Sequence, residues 1–72
     1  MDVLVFKTNV KTKKKVMMLK PTLNRFSFIN KWTVDTDDID NVLRIETSVR
    51  ISENQVIDLI QTKGFTCELL ND

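Results

Sequence analysis

Residues 30–48 read Asn-Lys-Trp-Thr-Val-Asp-Thr-Asp-Asp-Ile-Asp-Asn-Val-Leu-Arg-Ile-Glu-Thr-Ser. Two runs within this stretch alternate. In Asn30–Asp35, Trp32 and Val34 fall on one side, and Lys31, Thr33 and Asp35 on the other. In Val42–Ser48, Leu43 and Ile45 oppose Arg44 and Glu46. A period of two is that of a strand with one buried face. Between the runs, Asp37-Asp38-Ile39-Asp40-Asn41 carries the residue types that turns prefer. The stretch predicts an antiparallel hairpin with one face packed and the other in water.

Outward from the hairpin, each side predicts one helix and one more strand. Upstream, Val3–Thr8 is short, β-branched and aromatic, which suits a strand. Val16, Leu19, Leu23 and Phe26 then recur at i, i+3, i+7 and i+10, one face of a helix. Thr12 is placed to cap that helix. Lys13, Lys14 and Lys15 oppose the helix dipole in its first turn, and Pro21 predicts a kink or break near Lys20. Downstream, Ser52 and Gln55 match a capping box, and Val56, Ile57, Leu59 and Ile60 supply an apolar stripe. Lys63-Gly64 marks that helix's end, and Phe65–Leu70 reads as a final strand. The order β-α-β-β-α-β is that of the α+β ferredoxin-like architecture: a four-stranded antiparallel sheet with two helices on one face. The expected core is Trp32, Val34, Leu43, Ile45, Val56 and Ile60 with Val16, Leu19 and Leu23.

The chain has 72 residues, enough for one domain over 1–72. A domain this small buries roughly 60% of its unfolded surface, so its core is thin. Its start at Met1 and end at Asn71-Asp72 read as a complete small protein. No apolar run approaches the roughly 18 residues of a membrane span, and the N-terminus lacks signal-peptide character. With the single Cys67, these features predict a cytoplasmic protein with no membrane partner. The absence of histidine excludes Ser-His-Asp and Cys-His catalysis and any histidine metal site. Net charge is +1, yet residues 1–34 hold eight basic residues against one acid, and residues 35–72 three against nine. Such asymmetry reads either as a basic binding face or as two solvated faces attracting each other within one domain.

Asn9 and Thr12 stand three positions apart in the loop before the helix that holds Val16. With Lys7, Val16 and the pair Gly64-Phe65, the chain resembles the heavy-metal-associated domains, the fold of small copper chaperones and of metal-transporting ATPase N-terminal domains. In that family a C-x-x-C motif occupies this loop, so Asn9 and Thr12 stand where the resemblance puts the cysteines. Lys7 stands where the family usually has methionine. Trp32-Thr-Val-Asp35 with Asp40-Asn-Val-Leu-Arg-Ile-Glu46 is also similar to small bacterial proteins of that superfamily that lack the metal cysteines. Copper(I) is soft and needs thiolates, which Asn9 and Thr12 do not supply. No cofactor and no intrachain soft-metal site are therefore expected. Cys67 has no second thiol or histidine to chelate with, and is expected to be a half-buried strand residue.

Four further readings follow from the residues. Asp35, Asp37 and Glu46 match positions 1, 3 and 12 of a calcium loop, but Ile39 and Asp40 fill positions 5 and 6, so a solvated hairpin loop is expected. The stretch Thr8–Lys15 is basic and precedes a helix N-terminus, which makes Asn9, Lys11, Thr12 and Lys13, with Phe65 beside them, a candidate anion site. RNA-recognition domains share this topology but stack bases on aromatics of the central strands, and Leu43–Thr47 has none, which argues against nucleic acid. Acylphosphatases share it too, but need an arginine and a glycine-rich cradle in the first loop, where this chain has lysines and no glycine. The expected function is a non-enzymatic interaction module. Its partner is an unknown protein or a second copy, met at the open sheet face; the alternative is a small-anion or metabolite binder.

Overall fold

The computed structural model describes residues 2–70. Its elements are β1 (Asp2–Thr8), α1 (Lys13–Leu23), β2 (Ile29–Asp35), β3 (Val42–Thr47), α2 (Glu53–Thr62) and β4 (Cys67–Leu69). The four strands form one antiparallel sheet in the order β2-β3-β1-β4. Register fixes which residues share a face. Phe6 lies opposite Leu43, which lies opposite Val34; Leu4, Ile45 and Trp32 form the next row. These rows face the helices. The intervening rows, Val3-Glu46-Lys31 and Val5-Arg44-Thr33, form the outer face.

The core is Phe6, Val10, Leu19, Leu23, Leu43, Ile45, Val56, Ile60, Phe65 and Cys67. Trp32, Val34 and Val16, expected within it, are partly buried and pack against it. The reason for the first two is topological: β2 is an edge strand, so its inward side chains are covered from one side only. Trp32 compensates by donating its indole N–H to Asn24 Oδ1 at 2.8 Å. Phe6, Val10, Phe65 and Cys67 complete the core from the other side.

Both helix starts follow their caps. Thr12 Oγ1 accepts from the Lys15 N–H at 3.1 Å, and the Ser52–Gln55 capping box is closed at both of its hydrogen bonds. Of the kink or break expected near Lys20, the break does not occur. Helix α1 runs through the proline to Leu23, and the Asn24 N–H still reaches the Lys20 carbonyl at 2.9 Å. Proline removes the N–H that would bond the Met17 carbonyl, and Met17 and Pro21 both lie on the exposed side of the helix. Leu19 and Leu23 are fully buried on either side of Pro21 and hold the last turn against the sheet. Burying a leucine contributes about 1.5–3 kcal/mol, comparable with the proline's cost of about 3 kcal/mol. The helix ends at Leu23, so Phe26 is not on its face. Phe26 sits in the following loop, its ring 5.2 Å from that of Phe28.

Strand β4 is shorter than expected. Gly64 takes a φ of +91°, and the Phe65 N–H still bonds the Ile60 carbonyl of α2 at 3.3 Å. The Thr66 N–H is also engaged outside the sheet, so pairing begins only at Cys67 opposite Thr8.

Candidate functional site

Three loops meet at one end of the domain: residues 9–12, 36–41 and 63–66. Hydrogen bonds join them. The Thr8 N–H donates to the Asp40 carbonyl at 3.0 Å, and Thr8 Oγ1 donates to the Asn41 carbonyl at 2.6 Å. The same hydroxyl accepts from the Val10 N–H at 3.2 Å. Asn41 has a φ of +44°, a conformation that asparagine tolerates better than most residues. Lys7 Nζ lies 3.6 Å from Asp40 Oδ1, at the surface of this junction.

The first loop is closed by its own side chains. Asn9 Oδ1 accepts from the Thr66 N–H at 2.8 Å and so ties the loop to the start of β4. Val10 is fully buried beneath it. Thr12 Oγ1 is engaged in capping α1. The two side chains at the positions of the resemblance's cysteines thus both accept backbone N–H bonds. Their neutral oxygens are also hard donors, unsuited to a soft metal. The residues present do not fit copper(I).

Of the candidate anion residues, Asn9, Lys11, Thr12 and Lys13 lie together on this loop and helix start. Lys11, Thr12 and Lys13 are exposed, and Asn9 is half-buried. Phe65 is buried in the core with Val10. It supports the loop from below and is not on its surface.

Cys67 is buried more fully than expected, at 5% exposure, because its side chain faces the helices from β4. Burial, and then the adjacent Glu68 carboxylate, push its thiol pKa up to about 11. The folded chain therefore holds this proton more tightly than the unfolded chain. Stability from the neutral thiol is full below the ordinary value of 9.0 and falls as pH climbs through about 11. Alkylation of the native protein at pH 8 is expected to be far slower than in denaturant, and equal rates would place Cys67 at the surface.

The aspartates of the hairpin loop are engaged in turns: Asp35 Oδ1 accepts from the Asp37 N–H at 3.1 Å, and Asp38 Oδ1 from the Asp40 N–H at 2.8 Å. The flanking elements are strands, as the hairpin reading requires. One feature had no counterpart in the sequence reading. An apolar concavity of about 340 Å³ lies between α2 and the segment after α1, lined by Phe26, Phe28, Ile51, Val56 and Leu59 among others. Its signal in the sequence is Phe28, a large ring two residues past the apolar face that Val16, Leu19, Leu23 and Phe26 trace and before the strand at Asn30.

No family model matches this sequence, and no curated protein matches it. Solved structures do match in shape. A chain of the Atx1–Cu(I)–Ccc2a complex superposes with a TM-score of 0.82 at 14% identity, over 97% of this chain and 96% of that one. The yeast copper transporter domain Ccc2a, solved in apo and Cu(I)-loaded states, gives 0.78 at 14% identity with the same coverage. The heavy-metal-associated domain of the copper chaperone for superoxide dismutase gives 0.76 at 16% identity, over 96% of this chain and 66% of that one. This chain has the fold of the heavy-metal-associated domains, on a sequence whose one cysteine is Cys67 of β4.

Proposed function

We propose that this chain is a non-enzymatic protein-interaction module that uses the heavy-metal-associated fold without carrying soft metal. The observation that carries this reading is the closure of the first loop, where Asn9 Oδ1 accepts the Thr66 N–H and Thr12 Oγ1 the Lys15 N–H. What remains for function is surface. Among the described residues no helix packs on the outer sheet face, which carries Val3, 45% exposed, beside Val5, Arg44, Glu46 and Lys31. An apolar centre with charges of both signs around it suits a protein partner. One similar structure is a complex of two proteins, Atx1 and Ccc2a, which supports docking as a use of this fold. Among the described residues no helix is long and apolar enough to cross a membrane. A reducing compartment such as the cytoplasm suits an unpaired Cys67.

A second reading, small-anion binding, is favoured by the start of α1. Its first turn holds Lys13, Lys14 and Lys15 with no acid, and a helix start leaves N–H groups without intrahelical partners. Amide shifts of the labelled protein on adding inorganic phosphate or a nucleotide decide between the two readings. The interaction-module reading expects only weak shifts spread over all lysines, including Lys63, and suppressed by salt. Saturable shifts confined to residues 8–15, and abolished by Lys11→Ala with Lys13→Ala, would replace it with the anion site.

A further inference from the structure

Resting on the interaction-module reading, we infer that one partner is a second copy of this chain, docked reciprocally through the hairpin loop 36–41 and the outer face of α1. The loop is acidic, with Asp37, Asp38 and Asp40 around Ile39 and Asp35 at the end of β2 just before it, and Ile39 is 93% exposed at its tip. An isoleucine so exposed, ringed by carboxylates, is an apolar plug with a negative rim.

The outer face of α1 is its complement. Opposite the buried Leu19 and Leu23, the helix turns Lys14, Met17, Met18 and Pro21 to solvent, with Lys13, Lys15 and Lys20 at the margins. Met17 and Met18 are 58% and 53% exposed. Methionine adapts its shape to a partner, which suits it to exposed contact surfaces. No acidic residue occurs in α1. Among the described residues the ion pairs are Lys7–Asp40 and Arg50–Asp2, so the α1 lysines have no partner within the described chain.

Placement makes the two surfaces self-complementary. The Thr8 and Asp40 backbones are bonded to each other, so the acidic loop and the lysine-rich start of α1 lie at the same end of the domain. A two-fold axis there sets the loop of each copy against the helix of the other, the isologous arrangement that closed dimers require. Ile39 meets Met17 and Met18, and the aspartates meet the lysines. The segregation of eight basic residues into 1–34 and nine acidic ones into 35–72 then acts between copies, where complementary charge sets register and encounter rate. Stable interfaces bury about 800 Å² per partner, and a dimer built on one loop and one helix face of each copy is expected to be weak.

The test is sedimentation equilibrium of the full chain at low and high salt, up to roughly 1 mM protein because such a contact is weak. A monomer–dimer equilibrium that loosens with salt is expected. Asp37→Lys with Ile39→Lys, whose side chains make none of the turn's hydrogen bonds, should weaken it about tenfold or more. Lys13→Glu with Lys14→Glu should do the same while improving the helix dipole. Mixing the two variants makes both loop–helix contacts complementary again and should restore association as a heterodimer. Circular dichroism checks that each variant is folded. A monomer at every concentration would overturn the inference, as would a dimer unaffected by either pair or a mixture that stays monomeric. A dimer lost instead on Val3→Lys would move the contact to the sheet face. The phosphate and metal titrations do not depend on association, so failure of the module reading shows there and not here.

Discussion

Leu43→Ala should lower the thermal midpoint by about 10–30 °C, while Arg44→Ala should leave it within about 4 °C. The two residues are neighbours on β3 that face opposite sides of the sheet. Leu43 is fully buried, paired across the sheet with Phe6 on one side and Val34 on the other. Removing its isobutyl group loses transfer energy and leaves a cavity that its partners close only in part, at about 2–5 kcal/mol. A domain of 72 residues has little stability beyond that. Arg44 is exposed on the outer face between Val5 and Thr33, and truncating an exposed surface side chain usually costs no more than about 0.5 kcal/mol. If Leu43→Ala does not fold at room temperature, Leu43→Val, read by urea midpoint, gives the same ordering at smaller amplitude. Equal effects of Leu43→Ala and Arg44→Ala would show that the face of β3 is misassigned.

The largest functional change is expected from Asn9→Cys with Thr12→Cys. The wild-type side chains are neutral oxygen donors that accept the Thr66 and Lys15 N–H groups. Two thiolates with two residues between them would place soft ligands in a loop already fixed by Thr8, Val10 and the start of α1. Affinity for copper(I) should rise by several orders of magnitude over wild type. The variant should also lose some stability, because the Thr66 N–H loses its acceptor and Lys15 its cap; a lost cap typically costs about 1 kcal/mol. Copper should return that stability, since a ligand that binds only the folded state raises the midpoint. A double variant that folds but binds copper no better than wild type would show that the loop does not bring positions 9 and 12 together as a chelate.

The hairpin and the capped helices were legible because their signals are local. Strict alternation in Trp32–Val34 and Leu43–Ile45, a hydroxyl at Thr12 and the Ser52–Gln55 pair each state their own geometry. What was not legible depended on topology. In Val3-Leu4-Val5-Phe6 every residue is apolar, so alternation cannot say that Leu4 and Phe6 face inward. Val10 lies outside helix and strand periods and Phe65 precedes the β4 that forms, so their burial follows from three loops meeting at one end. The Pro21 expectation weighed local cost without the anchoring that Leu19 and Leu23 provide. At the candidate site, the residues of the first loop could be named from the sequence. The bond from the Thr66 N–H to Asn9 spans 57 positions and has no sequence signature.

Competition for copper(I) between the wild-type protein and a chromophoric chelator under reducing conditions tests the central claim most directly. With Asn9 and Thr12 both engaged in backbone bonds and Cys67 buried, the chelator should keep its metal, and no binding tighter than about micromolar should be found, as hard neutral donors imply. One equivalent of copper held by the protein, with amide shifts centred on residues 9–12, would contradict it.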